Sequence, residues 1–178
     1  MSGSSALQSL SSPSELAHKL YDQYKHNGIP INPLRIAEDR GIQVKKIAFN
    51  KVDIHGATHH KNGEIIIYVH EDNSTAQVRL TIAHLLGHCF LHPFPEGRGY
   101  FDTYTSLFSV HLLQESEEIS KGSIELERQA NVFAYCLLMP EEEIRYYWML
   151  ADDIYELATL FDLPVSHIRR RLKSLRLL

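Results

Sequence analysis

The apolar period of this chain changes twice, and those changes limit the fold more than any other feature of the sequence. Up to Gly41 the apolar residues recur at helical spacing, from Ile42 they run in β-branched, strand-like segments, and from Thr75 the helical spacing returns. Strands gathered in one stretch, with helices before and after, describe an α+β fold. The 178 residues suffice for one substantial core and leave little room for a second. A single domain over residues 14–178 is therefore expected. Residues 1–13 are Ser-rich, with too few bulky apolar side chains to offset the entropy of ordering them, and read as a flexible tail.

Turn and cap residues divide the chain further. A first helix is expected from Ser14, with Leu16, Leu20, Tyr21 and Tyr24 on its apolar stripe and Asn27 and Gly28 as its stop. A second is capped by Asn32, opened by Pro33 and closed by Gly41. Ile42 to Ile47, Ile54 to His60 and Ile65 to Val69 read as three strands, the last two joined by a hairpin turn at Lys61, Asn62 and Gly63. Thr75 to Leu91 follows as a long helix ended by Pro93. The interval 93–122, with four Pro or Gly residues near its start and Glu115, Glu117 and Glu118 later, reads as a functional lid or an insertion. The rest is helical: Ser123 to Leu138, Glu141 to Leu150, Asp152 to Phe161 and Val165 to Leu175.

Composition removes several classes of function. A net charge of −4 and a pI near 6.2 argue against binding nucleic acid through overall electrostatics. The basic run Arg169, Arg170, Arg171, Lys173 and Arg176 fits a solvated face at the end of a helix. Cys89 and Cys136 lie in apolar helical patterns and read as small core residues, not a disulfide framework. The N-terminus lacks the basic start and apolar stretch of a signal peptide, and no apolar run approaches the ~20 residues of a membrane span. The expected compartment is the cytoplasm, with no membrane partner.

The segment that carries chemistry is His84-Leu85-Leu86-Gly87-His88, where two imidazoles one helical turn apart can converge on one ion. Such a pair arises readily by chance in a chain with 11 histidines, so a further ligand is required. Glu127 in the next long helix can supply it. Asn131, a turn later, can then hydrogen-bond the far nitrogen of a ligand histidine and fix its tautomer. The bland alternative for Glu127 is a surface carboxylate.

These segments together resemble the ImmA/IrrE family of gluzincin-like zinc metallopeptidases, which carry R-F-T-L-A-H-E-L-G-H, then E-x-x-A-N-x-F-A, then L-L-M-P. The matching residues are Arg79 to Ala83, His84, Leu86, Gly87 and His88; Glu127, Ala130, Asn131, Phe133 and Ala134; and Leu137 to Pro140. Ile31, Asn32, Pro33, Ile36, Ala37 and Gly41 extend the similarity to residues 14–175 or so. The resemblance implies a zincin-like α+β domain with a small three-stranded sheet, a metal-binding helix and a helical C-terminal half. It also implies zinc on His84, His88 and Glu127 with water in the open fourth position. The protein partner it implies is a helix-turn-helix repressor, cut or inactivated in stress responses or mobile-element control.

One departure stands out: the family has glutamate directly after the first histidine, and this chain has Leu85. That carboxylate takes a proton from the attacking water and returns it to the leaving amine, a contribution of ~10² to 10⁴ in rate. The chain is thus expected to be a catalytically impaired peptidase, by nature or by design, unless another group substitutes. Among weak substitutes, His111 comes first, with Glu115, Glu117 and Glu118 beside it in the same interval; His92 is expected to point off the ligand face. His55 and His59, at alternate strand positions, and His60 read as strand surface. Two other readings stand beside the peptidase: a non-catalytic zinc-containing module that sequesters a regulator, and DNA binding through a helix-turn-helix-like pair at 152–175, with Ser166 as a cap. The second is disfavoured by a turn without glycine and by the acidity of the chain.

Overall fold

The computed structural model describes residues 12–50, 53–92, 94–103 and 121–178. Helix α1 (Pro13–Tyr24) starts before Ser14 because Ser12 caps it: its hydroxyl accepts from Glu15 N at 3.3 Å and its own N–H donates to Glu15 Oε2 at 2.9 Å, a reciprocal capping box. After a short 3₁₀ turn (Lys25–Asn27), α2 (Pro33–Asp39) is capped as the sequence predicts, with Asn32 Oδ1 accepting from Leu34 N at 3.0 Å. The expected tail falls outside the described residues apart from Ser12 and Pro13.

The sheet contains β1 (Gln43–Ile47), β2 (Ile54–Lys61), β3 (Glu64–His70) and β4 (Phe101–Thr103), in the order β1-β3-β2-β4. β1 runs parallel to β3, and β2 is antiparallel to both of its neighbours. Asn62 and Gly63, with φ of 54° and 74°, make the tight turn between β2 and β3. The sheet thus has four strands where three are expected, because β4 lies in the interval read as a lid. Three residues are too few to show an alternating pattern, and β4 is selected by its pairing with β2. That pairing continues upstream through Thr58 N to Tyr100 O (2.8 Å), His60 N to Arg98 O (3.0 Å) and Gly97 N to His60 O (2.8 Å).

Helix α3 (Thr75–Leu91), capped by Ser74, is the centre of the molecule, with every residue from Leu80 to His88 buried. It carries no polar face over that stretch because it lies between two layers. A Cβ on Gly56 of β2 would stand 2.5 Å from Thr81 Cγ2 and 3.2 Å from Leu85 Cδ1, so the sheet meets α3 at bare backbone. On the other side, a Cβ on Gly87 would stand 3.0 Å from Ala130 Cα in α4 (Lys121–Leu138). These two glycines let both layers approach the helix closely.

The C-terminal half continues with α5 (Glu141–Leu150), α6 (Ile154–Phe161) and α7 (Val165–Ser174). Asp153 caps α6, and Asp162, left-handed at φ 48°, closes it without glycine. Ser166 does not cap α7: Pro164 holds that position and no side chain bonds the first turn. The face of α7 formed by His167, Ile168, Arg171 and Leu172 is buried, and Arg171 Nε donates to Met139 O at 3.0 Å. One member of the expected solvated basic run is therefore a core tie between α7 and the end of α4. No helix among the described residues is long and apolar enough to cross a membrane.

Candidate metal centre

α3 and α4 lie side by side, and the ligand candidates meet between them. His84 and His88 are one turn apart on α3 and fully buried, while Glu127 on α4 is about one-seventh exposed at 15%. His84 Nε2 and His88 Nε2 are 3.1 Å apart, and the Glu127 carboxylate lies 3.4 Å from the first and 3.2 Å from the second. Among the described residues, these three form the one group of His, Cys, Asp or Glu able to hold a metal ion, with all ligand atoms within 4.8 Å of one another. Ligand atoms bound to one zinc at about 2.0–2.1 Å with tetrahedral angles stand roughly 3.3 Å apart, so the spacing fits.

The outward sides of both rings are tied. Asn131 Oδ1, 3.0 Å from His84 Nδ1, accepts its proton and leaves the Nε2 lone pair facing Glu127. His88 is held by a longer chain, in which its Nδ1 is 3.0 Å from Nδ1 of His92, and His92 Nε2 is 3.3 Å from Gln129 Oε1. Gln129 Nε2 donates to Glu125 Oε1 at 2.8 Å, which turns its oxygen toward His92. His92 therefore carries its proton on Nε2 and accepts from His88 Nδ1–H, so His88 also presents a lone pair at Nε2. His92 stands outside the candidate ligand group, as expected, yet its ring bonds the outward side of His88. Tyr100 stacks on His88 from the far side, with ring centroids 4.3 Å apart and planes at 17°.

Two lone pairs and a carboxylate directed at one point repel one another unless a cation stands among them. The ionisation of the three groups follows. Burial works against a charge on Glu127, yet the facing rings of His84 and His88 outweigh it and hold its carboxyl at about 2. Burial pushes His88 down to about 4, while His84, also opposed by burial, is raised by Glu127, Asp102 and Asn131. The pocket favours positive charge at its centre and keeps the carboxylate ionised, which suits a divalent ion.

Leu85 is fully buried and its Cδ1 lies against the backbone of Gly56. Nothing at that position can accept a proton. His111, Glu115, Glu117 and Glu118 lie outside the described residues. His55 Nδ1 is 3.2 Å from Asn73 Oδ1, and His60 Nδ1 is 2.8 Å from Phe94 O, so both contribute to loop attachment. Sequence reasoning missed Gln129, Tyr100 and Asp102. Gln129 has a faint signal, standing two residues from Glu127; Tyr100 and Asp102 have none, because β4 itself is invisible in the sequence.

The model of a peptidase family described as the IrrE N-terminal-like domain matches residues 37–173. No curated protein sequence matches the chain. Among solved structures, a Mycobacterium tuberculosis transcriptional regulator superposes with a TM-score of 0.59 at 19% identity, over 90% of this chain and 46% of that one. The chain thus spans less than half the length of this neighbour, and the likeness concerns the fold.

Proposed function

The chain belongs to the IrrE N-terminal-like domain family, and from that premise we propose that it is an intracellular zinc-binding protein that acts on a helix-turn-helix transcriptional repressor, with peptide hydrolysis impaired by Leu85. The observation that carries the metal reading is the convergence of His84 Nε2, His88 Nε2 and Glu127 at 3.1–3.4 Å, with both outward nitrogens already bonded. A zinc ion held there polarises a carbonyl and activates water.

This chain's own residues supply the remainder. Asn131 and the His92–Gln129–Glu125 chain hold the two rings in the ligating tautomer. Tyr100 fixes the plane of His88. Leu85 excludes water from the sheet side of α3 and transfers no proton. The neighbour's description as a transcriptional regulator supports a regulatory setting, and the family's peptidase character supports a protein as the thing acted upon.

Metal analysis tests the reading. The purified chain is expected to hold about one zinc and to lose it in His88→Ala, since two remaining ligands make a poor site. Equal zinc content in the two proteins would remove the assignment. Sequestration without cleavage is the second reading, favoured by Leu85, and is expected to show as stable co-purification of the chain with an intact repressor.

A further inference from the structure

The metal reading leaves one buried carboxyl group unexplained. Asp102, the middle residue of β4, is fully buried, and neither carboxylate oxygen forms a hydrogen bond of normal geometry. A carboxylate removed from water and left without a partner costs several kcal/mol, roughly. Its neighbours on the strand behave differently: Phe101 points to solvent at 58% exposure, so the alternation of the strand turns Asp102 inward.

Its direction is fixed by register. Asp102 pairs with Gly56 across the antiparallel β2–β4 ladder, so the two share a face of the sheet. That face meets α3 at Thr81 and Leu85, as the close approaches at Gly56 show. Asp102 therefore lies on the sheet face turned toward α3, the helix that carries Thr81, His84 and Leu85. Thr81 Oγ1 accepts from Gln77 Nε2 at 3.2 Å, which leaves its hydroxyl proton to turn toward Asp102. Burial raises the Asp102 carboxyl above its ordinary range, opposed by His84, Thr81 and His55 and reinforced by Glu127, so two of the groups acting on it belong to the candidate metal centre. Asp102 is nevertheless not part of the tight ligand cluster.

Charge arithmetic points the same way. Two neutral imidazoles and one carboxylate leave a dication with a net charge of about +1 in a buried site, an expensive arrangement without another anion. In H-E-x-x-H sites the glutamate after the first histidine supplies that anion, and here position 85 is leucine.

We propose that Asp102 is the working anion of this site in place of the carboxylate missing at position 85: it balances the metal's second charge from the sheet side. This rests on the metal reading above.

The test uses the full chain and metal alone as the probe. Asp102→Asn and Asp102→Leu are titrated with zinc against a chromophoric chelator, beside the parent and His88→Ala. Both Asp102 variants are expected to keep one zinc per chain with affinity lowered about 10- to 100-fold, the scale for outer groups that tune a metal site. Metal-free Asp102→Leu is expected to melt above the metal-free parent, because the buried and poorly satisfied carboxyl group is gone, and this also confirms that it folds. The double variant Leu85→Glu/Asp102→Leu returns a carboxylate next to His84 in the chain and is expected to recover most of the lost affinity. With cobalt in place of zinc, the pH midpoint of the visible spectrum should move in Asp102→Asn, which a merely structural role would not produce. Equal zinc affinity in the parent and both Asp102 variants would overturn the proposal while leaving the metal reading intact. A parent that binds no zinc, or His88→Ala that binds it equally, would overturn both.

Discussion

Replacing Gly87 with alanine tests whether the spacing of α3 and α4 sets the geometry of the metal centre. The added Cβ would lie 3.0 Å from Ala130 Cα, 3.1 Å from Ala130 O and 3.2 Å from Phe133 Cδ1. Carbon atoms prefer about 3.5–4.0 Å, and two of the three contacts are backbone, so relief requires the helices to separate by roughly 0.5–1 Å. Overpacking of this kind costs about 1–3 kcal/mol, offset by about 1 kcal/mol from the better helix propensity of alanine. The net loss of stability is small, a lowering of Tm by a few degrees. The consequence for the site is larger. Glu127 reaches the two rings at 3.2 and 3.4 Å, already near the roughly 3.3 Å span of a tetrahedral zinc, and a further ~0.5–1 Å carries it out of range unless its side chain leaves a rotamer minimum. That strain, about 0.5–1.5 kcal/mol, corresponds to a zinc affinity weakened up to about tenfold. Chelator competition measures the affinity and thermal melting of the metal-free chain measures the fold. A Gly87→Ala protein that binds zinc as tightly as the parent, with its Tm lowered, would show that helix spacing does not control the ligand set.

Two further outcomes follow from the same structure. Leu85→Glu is expected to leave zinc content at about one per chain and to raise cleavage of a candidate helix-turn-helix repressor by about 10²-fold or more, at some loss of stability because the position is fully buried; a gel-based time course showing no gain would sink the account of Leu85. Acidification should destabilise the metal-free chain most between about pH 6.5 and 4: burial holds His88 and His167 near 4 against an ordinary 6.5, so the unfolded chain binds more protons in that window and stability present above it is lost as pH falls. His167→Gln, which removes the ring 2.8 Å from the Tyr135 hydroxyl, should flatten that slope, as read by melting at stepped pH.

Most element boundaries and the three candidate ligands were legible because their signals are local. Asn32 before Pro33, Gly41 after α2, and Asn62-Gly63 between β2 and β3 each state their turn through backbone chemistry confined to a few residues. His84, His88 and Glu127 carry helical spacing and a recognisable neighbourhood, and the structure brings them together. What failed was non-local. β4 exists because β2 offers it an edge, and Asp102 matters because Gly56 lies opposite, a register that no periodicity encodes. Arg171 looked like its basic neighbours Arg169 and Arg170, and only the inward face of α7 distinguishes it. The link from His88 through His92 was missed for a related reason: the partner of His92 in the chain to Glu125 is Gln129, on a helix more than thirty residues away.

The middle of α4 supplies more of the candidate metal centre than its single candidate ligand suggests. Glu127, the clamp Asn131 on His84, and the Gln129–Glu125 end of the His92 chain all lie within seven residues of that helix. Opening that stretch would remove a ligand, release one ring and untether the other in the same event. Metal release and the local melting of one helical segment would then be a single process with a single rate. In a hydrogen-exchange experiment the amides of residues 125–131 should act as the site's clock: saturating the protein with metal should slow them in proportion to occupancy, while the amides of α7 keep their own time.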